Sequence, residues 1–81
     1  MPQLRDSVAI KTLAYNVKKY RKEKNLSMEA LAYRIGVEYS QISRIERGVI
    51  NTSVSVIFAV AKALEIEPSQ LLESVSGANH Q

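Results

Sequence analysis

Residues 27–48 of this 81-residue chain, SMEALAYRIGVEYSQISRIERG, decide the fold. Small and apolar residues recur there at helical spacing on both sides of Gly36. They are Leu31, Ala32, Ile35, Val37, Ile42 and Ile45. Because glycine readily adopts the positive φ that a sharp chain reversal requires, Gly36 marks a turn. The stretch predicts two short helices joined by that turn, with Val37 filling it from the inside.

The second of these helices carries polar side chains on the face opposite Ile42 and Ile45. They are Tyr39, Ser40, Gln41, Ser43, Arg44 and Arg47. Hydrogen-bonding side chains on the second helix of such a pair are typical of a helix-turn-helix motif, in which that helix lies in the major groove of DNA. We therefore predict a helix-turn-helix at 27–48 with a recognition helix at 38–47.

A longer helix is predicted before this motif, from Ser7 or Val8 to about Lys24. Ser7 is its expected N-cap, and Asn25 is expected to end it because asparagine tolerates the left-handed conformation. The apolar residues of its inner face are Ile10, Leu13, Ala14, Val17 and Tyr20.

Two further helices are predicted after the motif. One follows an N-cap at Ser53 and ends at about residue 64 or 65; the other begins at Pro68, a residue favoured in a first turn, and ends near Ser74. The apolar residues of the fourth helix are Val54, Ile57, Phe58, Val60, Ala61 and Leu64. No stretch shows a strand pattern, so we predict an all-α, compact five-helix domain at 1–75 with a flexible C-terminal tail at 76–81.

Composition and charge narrow the classes of function. The chain has no cysteine and one histidine, which excludes a disulfide framework or a thiolate metal site and fits a reducing cytoplasm. No apolar run approaches the length of a membrane span. Residues 1–48 hold ten of the eleven basic residues and five acidic ones, a formal charge of +5, whereas residues 49–81 carry −2. The basic half indicates a polyanionic partner.

Two stretches, NVKKYRKEKNLSMEALAYRIGVEYSQISRIERG at 16–48 and NTSVSVIFAVAKALEIEPSQLL at 51–72, resemble the lambda-repressor/Cro-like helix-turn-helix domains of the XRE family. The short chain is also similar to small restriction–modification controller-type proteins. The resemblance implies a five-helix, lambda-repressor-like domain that binds specific duplex DNA as a dimer and regulates transcription. Met28 departs from the family, which often carries a phosphate-binding glutamine at this position.

Four residues of the recognition helix are candidates for reading base pairs. Arg44 has the guanidinium that contacts guanine O6 and N7 bidentately, and Gln41 has the amide that pairs with adenine N6 and N7. Ser40 and Tyr39 lie in the first turn, which reaches deepest into the groove. The alternative for Arg44 is a phosphate contact or an ion pair with Glu38 or Glu46.

Candidate phosphate contacts flank the recognition helix. They are Ser27, Tyr33, Ser43, Arg47, Asn51, Thr52 and Ser53. The backbone N–H groups at a helix N-terminus suit a phosphate, and Ser27 and Ser53 are also plain helix caps. Lysines 18, 22 and 24 add long-range attraction. Such contacts fix the register of a protein on DNA without reading sequence.

The resemblance assigns two structural roles. Arg21 and Glu46 occupy positions of a buried ion pair between the first and third helices. The region of the fifth helix commonly forms the dimer seam of the family, although its apolar residues could instead complete the core of one protomer. The candidate interface residues are Phe58, Ile66, Leu71, Leu72 and Val75.

We therefore predict a sequence-specific, double-stranded DNA-binding transcriptional regulator. It is expected to act in the cytoplasm as a homodimer on a pseudo-palindromic operator with half-sites about one helical turn, ~34 Å, apart. The alternative is a protein-interaction module such as the antitoxin of a toxin–antitoxin pair. The sequence has no paired carboxylates, phosphate loop or His/Cys/Asp cluster, so we expect no enzyme, cofactor, metal site or membrane association.

Overall fold

The computed structural model describes residues 6–74 and shows five α-helices and no strand in that segment. The helices are α1 (Ser7–Glu23), α2 (Met28–Ile35), α3 (Tyr39–Glu46), α4 (Val54–Leu64) and α5 (Pro68–Leu71). The prediction of an all-α, five-helix fold is confirmed. The expected tail at 76–81 and the interface candidate Val75 lie outside the described residues.

The helix α1 begins at Ser7, within the predicted range, but its N-cap differs from the predicted one. Asp6, not Ser7, is the N-cap, and its Oδ1 accepts hydrogen bonds from the N–H groups of Val8 and Ala9 at 3.0 and 3.1 Å. The Asp6 carboxylate thereby satisfies two of the unpaired donors of the first turn.

The predicted serine caps are confirmed. The hydroxyl of Ser27 accepts from the N–H of Ala30 at 3.0 Å at the start of α2. That of Ser53 accepts from the N–H of Val56 at 3.2 Å at the start of α4. These bonds fix the two helix N-termini that flank α3.

Left-handed residues follow four helices, among them Gly48 after α3. Gly36 has φ 78° after α2 and Asn25 has φ 58° after α1, as predicted. Glu65 has φ 60° after α4, which the sequence analysis did not anticipate. This conformation lets the N–H of Ile66 donate to the carbonyl of Ala61 at 3.0 Å, and it directs Ile66 back against the core.

All five helices contribute apolar side chains to one core. Its buried residues are Ile10, Leu13, Ala14, Val17, Leu31, Ala32, Ile42, Ile45, Val60, Ala61, Leu64 and Leu71. Two residues assigned to the apolar side of α4, Val54 and Phe58, are instead 68% and 58% exposed. Leu71 is fully buried in its own protomer, which is the alternative that the sequence left open for the apolar residues of the fifth helix.

The helix α5 is shorter than predicted, because it ends at Leu71 rather than near Ser74. The buried side chain of Asn16, on α1, donates to the backbone carbonyls of Leu71 and Glu73 at 2.9 and 3.0 Å. These bonds satisfy carbonyl groups at the end of α5 and tie it to α1. Sequence analysis missed Asn16, whose only signal was a polar residue beside the apolar stripe Leu13–Val17.

Candidate nucleic-acid interface

A buried ion pair fixes the recognition helix α3 to α1. The guanidinium of Arg21 donates from Nε and Nη2 to the two carboxylate oxygens of Glu46 at 2.6 and 2.9 Å. Its Nη1 donates to the carbonyl of Leu26 at 2.7 Å, which also anchors the α1–α2 turn. The two side chains are only 10% and 5% exposed. The resemblance had implied this pair, and the structure contains it.

The hydrogen bonds that Arg21 donates to the carboxylate of Glu46 raise the pKa of Arg21, against the opposing effect of burial. Arg21 therefore remains a cation whose donors are occupied inside the protein. The ion pair found for Glu46 is with Arg21, and the ion pairs within residues 6–74 do not include the suggested pairing of Glu46 with Arg44. Within residues 6–74, the ion pairs do not include Arg44 with Glu38 either.

The core fixes the rotation of α3 about its own axis. Ile42 and Ile45 are 0% and 2% exposed, so the opposite side of this eight-residue helix faces outward. That side presents three of the four candidate base-reading residues. Tyr39, Ser40 and Arg44 are exposed, and Gln41 is half-buried. All four lie on one helix, and Gln41 lies on the same side as the buried Ile45.

The first turn of α3 has no side-chain cap. Glu38 has the extended backbone of an N-cap, but its carboxylate accepts no capping hydrogen bond. The predicted acidic cap is thus correct in position and makes no capping bond. Without it, the N–H groups at the start of α3 remain available to another acceptor.

The candidate phosphate contacts lie on segments that adjoin α3. Five of the seven are exposed, whereas Ser43 and Thr52 are half-buried. The exposed residues are Ser27, Tyr33, Arg47, Asn51 and Ser53. Met28, where the family resemblance suggested a glutamine, is half-buried and packs against the core, so its side chain contributes to stability.

Backbone hydrogen bonding and apolar packing fix the loop between α3 and α4. Gly48 adopts φ 70°, and the N–H of Val49 donates to the carbonyl of Arg44 at 3.1 Å. Ile50 packs against the core, a role the sequence analysis did not assign. Its signal was an apolar side chain inside a polar loop. The candidate phosphate residues 51–53 therefore follow an anchored segment.

A second feature lies on α4 and at the end of α5. Val54, Phe58 and Leu72 are 68%, 58% and 57% exposed, and we call them the rear apolar surface. Ile66, another interface candidate, is half-buried and packs against the core. Val54 and Phe58 are four residues apart and lie on one face of α4. Apolar surface that is exposed and contiguous is typical of sites that another molecule covers.

Two other classes of site are absent from the described segment. Residues 6–74 contain no group of three or more His, Cys, Asp or Glu side chains that could hold a metal ion. None of the helices described there is long and apolar enough to cross a membrane.

Known proteins share this arrangement. The family described as Helix-turn-helix, HTH_3, matches residues 17–71. Control protein C.SmaI of Serratia marcescens is 38% identical over 69 residues, which are 85% of this chain and 82% of that protein. The HTH-type transcriptional regulator SlrR of Bacillus subtilis is 41% identical over 59 residues, 72% of this chain and 39% of SlrR.

Solved structures agree with the fold. The hypothetical transcription factor NHTF from Neisseria has a TM-score of 0.81 at 33% identity, covering 91% of this chain and 86% of that one. SinR in complex with DNA has a TM-score of 0.72 at 35% identity, covering 75% and 98%. With the polar face of α3 directed outward, these matches show that the chain belongs to the HTH_3 helix-turn-helix family and is an XRE-type DNA-binding transcriptional regulator.

Proposed function

We propose that this regulator binds a specific pseudo-palindromic operator as a homodimer, with α3 of each protomer in the major groove. One observation carries the proposal: Ile42 and Ile45 bury one side of α3 while the Arg21–Glu46 pair fixes its end, so the polar face is presented rigidly. A fixed face can distinguish base pairs, because hydrogen-bond readout depends on side-chain position.

Arg44 is the proposed main base contact. Its guanidinium is exposed and, among residues 6–74, has no acidic partner in an ion pair. A bidentate contact with guanine contributes roughly 1–3 kcal/mol of discrimination. Gln41, Ser40 and Tyr39 are proposed to contact neighbouring base pairs or, for Tyr39, a thymine methyl group or sugar.

Phosphate contacts are proposed on both sides of α3. Ser27 and Ser53 are the N-caps of α2 and α4. The first backbone N–H groups of a helix suit a phosphate, so these two helix N-termini are proposed to bind one each. Arg47 supplies a positive charge at the end of α3. The other proposed contacts are Tyr33, Ser43, Asn51 and Thr52. These groups set the register on the duplex.

The rear apolar surface is proposed to meet a second copy of the chain. A pseudo-palindromic operator needs two recognition helices about 34 Å apart, and a two-fold dimer provides that spacing. Phe58 and Leu72 supply exposed apolar area for the seam, with Ile66 beside them. We further propose a cytoplasmic, non-enzymatic regulator whose domain occupies 1–75.

The test is selection of bound duplexes from a random pool at a stated salt concentration, since electrostatic binding weakens steeply with salt. The recovered site should be pseudo-palindromic. Arg44→Ala should then lose about tenfold or more in specific affinity, the equivalent of roughly 1–3 kcal/mol, with an unchanged melting temperature.

Arg34→Ala is the matched control, because Arg34 is an exposed arginine on α2 outside the proposed site. It should retain specificity. Equal losses in the two variants, or recovery of no preferred sequence from the pool, would contradict the proposed function.

A further inference from the structure

One side of α1 carries three lysines and a tyrosine that are not among the proposed operator contacts. Lys11, Tyr15, Lys18 and Lys22 are spaced by four, three and four residues, so they lie on one face of the helix. All four are exposed, and Tyr15 is 52% exposed. We call these four residues the α1 basic stripe.

The charges of the stripe are not balanced within the protein. Glu23 is the single acidic residue of α1, and the ion pairs found within residues 6–74 do not involve Lys11, Lys18 or Lys22. Like charges one helical turn apart, such as Lys18 and Lys22, destabilise a helix. A face that served only solubility could alternate its charges without that cost.

The stripe borders the end of the recognition helix. A Cβ atom built on Gly48, just after α3, would lie 3.6 Å from Cγ of Lys11 and 3.7 Å from Cβ of Ala14. Farther along the same flank of α1, Arg21 binds Glu46. The stripe therefore continues from the end of α3, where Arg47 is exposed, onto α1.

The length of the stripe suits a phosphate backbone. From Lys11 to Lys22 the helix rises by about 16 Å, the axial length of about five base pairs. Three ammonium groups and one phenol over this distance can each donate to phosphate oxygens. The positive charge of the stripe and its continuity with α3 both indicate that the stripe contacts the same DNA molecule as α3.

We propose that the α1 basic stripe binds the phosphate backbone of DNA flanking the base pairs read by α3, and so extends each half-site by about five base pairs. The inference rests on the proposed operator binding. It adds contacts that raise affinity without reading sequence, because they reach phosphates alone.

The experiment compares two duplexes built on the selected operator. One ends at the outermost specified base pair, and the other carries about ten unselected base pairs on each side, one helical turn. The wild-type protein should bind the longer duplex about tenfold more tightly at about 150 mM salt. The variant Lys11→Gln/Lys18→Gln/Lys22→Gln should lose this advantage. Its salt dependence on the longer duplex should fall by about 0.9 in slope for each phosphate that the variant no longer neutralises.

A matched triple variant removes three exposed positive charges outside the stripe: Lys19→Gln, Arg34→Gln and Lys62→Gln. It should keep the preference for the longer duplex. Thermal unfolding followed by circular dichroism checks that both variants fold, and the shorter duplex checks that both still read the operator.

The inference is overturned if the wild-type protein binds both duplexes equally, as it would if the stripe served an acidic protein partner. Equal losses in the two triple variants would also overturn it, because they would show only a general effect of net charge. Failure of the proposed function has a different signature: selection enriches no sequence, and the inference then falls with it.

Discussion

The outer face of α3 and the rear apolar surface differ in how they are held and in what they expose. The first is polar and fixed from behind by Ile42, Ile45 and the Arg21–Glu46 pair. The second consists of Val54, Phe58 and Leu72, more than half exposed, on the side of the chain with net negative charge. The protein thus has a rigid polar surface on α3 and an exposed apolar surface in a separate part of the chain.

This contrast makes each surface sensitive to a different kind of substitution. Precise readout depends on buried groups that are not themselves in the interface, because they fix the position of α3. Association depends on exposed apolar area and is insensitive to small shifts. Substitutions behind α3 should therefore impair folding and readout together, while those on the rear surface should impair assembly alone.

The largest effect is expected from Glu46→Gln. This change leaves the Arg21 guanidinium, whose side chain is 10% exposed, without its carboxylate. Removing one partner of a buried ion pair costs about 3–5 kcal/mol, because the remaining charge is uncompensated. Urea denaturation measures the loss, and specific DNA binding should weaken as α3 loses its attachment to α1.

Glu73→Gln is a suitable control, since Glu73 is an exposed glutamate that forms none of the ion pairs found within residues 6–74. It should change stability by less than about 0.5 kcal/mol. Similar unfolding midpoints for the two variants would show that the pair does not hold the recognition helix.

Local sequence patterns were sufficient to predict the structure of the helix-turn-helix segment, α2 and α3. The structure contains the three features that these patterns predicted. They are the turn at Gly36, the helix cap at Ser27 and the buried side of α3 with Ile42 and Ile45. The polar face of α3 followed from that burial. The Arg21–Glu46 pair needed the family resemblance, because the two residues are 25 positions apart.

The rear of the molecule was less predictable. Leu71 and Leu72 are adjacent and chemically identical, and helix geometry turns them about 100° apart. Which of them faces the core depends on the rotation of α5, which Asn16 sets through bonds to the carbonyls of Leu71 and Glu73. Because that tertiary contact has no local signature, the sequence left open whether Leu71 completes the core or lies in a dimer seam. Apolar spacing likewise placed Val54 and Phe58 on the apolar side of α4, but it does not indicate which molecule covers them.

Alanine substitutions of the two adjacent leucines should affect different properties of the protein. Leu71→Ala should cost about 2–5 kcal/mol in unfolding free energy, because it leaves a cavity in the core where Leu71 is 0% exposed. Leu72→Ala, at a position 57% exposed, should leave the stability of the isolated protomer nearly unchanged and weaken dimer formation. Urea denaturation at low protein concentration and sedimentation equilibrium measure the two quantities.

Each leucine serves as the control for the other, since the same atoms are removed. A dimer of unchanged affinity in Leu72→Ala, together with Phe58→Ala, would exclude the rear apolar surface as the seam. Equal unfolding losses at 71 and 72 would contradict the observed rotation of α5.

The smallest effect on stability is expected from an exposed ion pair between the two halves of the chain. Lys24, after α1, donates from Nζ to Oε1 of Glu65, after α4, at 2.9 Å. The hydrogen bond and the charge of Lys24 lower the pKa of Glu65. A lowered pKa favours the folded state above the ordinary glutamate value of 4.5, and the contribution disappears as the pH falls through the pKa of the folded protein.

Glu65→Gln should therefore lower the melting temperature slightly at neutral pH, and by progressively less below a pH of about 4.5. The effect is small because solvent screens this exposed pair, with side chains 40% and 75% accessible. Added salt should reduce the difference further. The same measurement on Glu46→Gln should show a much larger deficit that persists in high salt, since its partner Arg21 is buried. A deficit in Glu65→Gln as large and as salt-resistant would mean that the surface contact, rather than the buried pair, holds α1 in place.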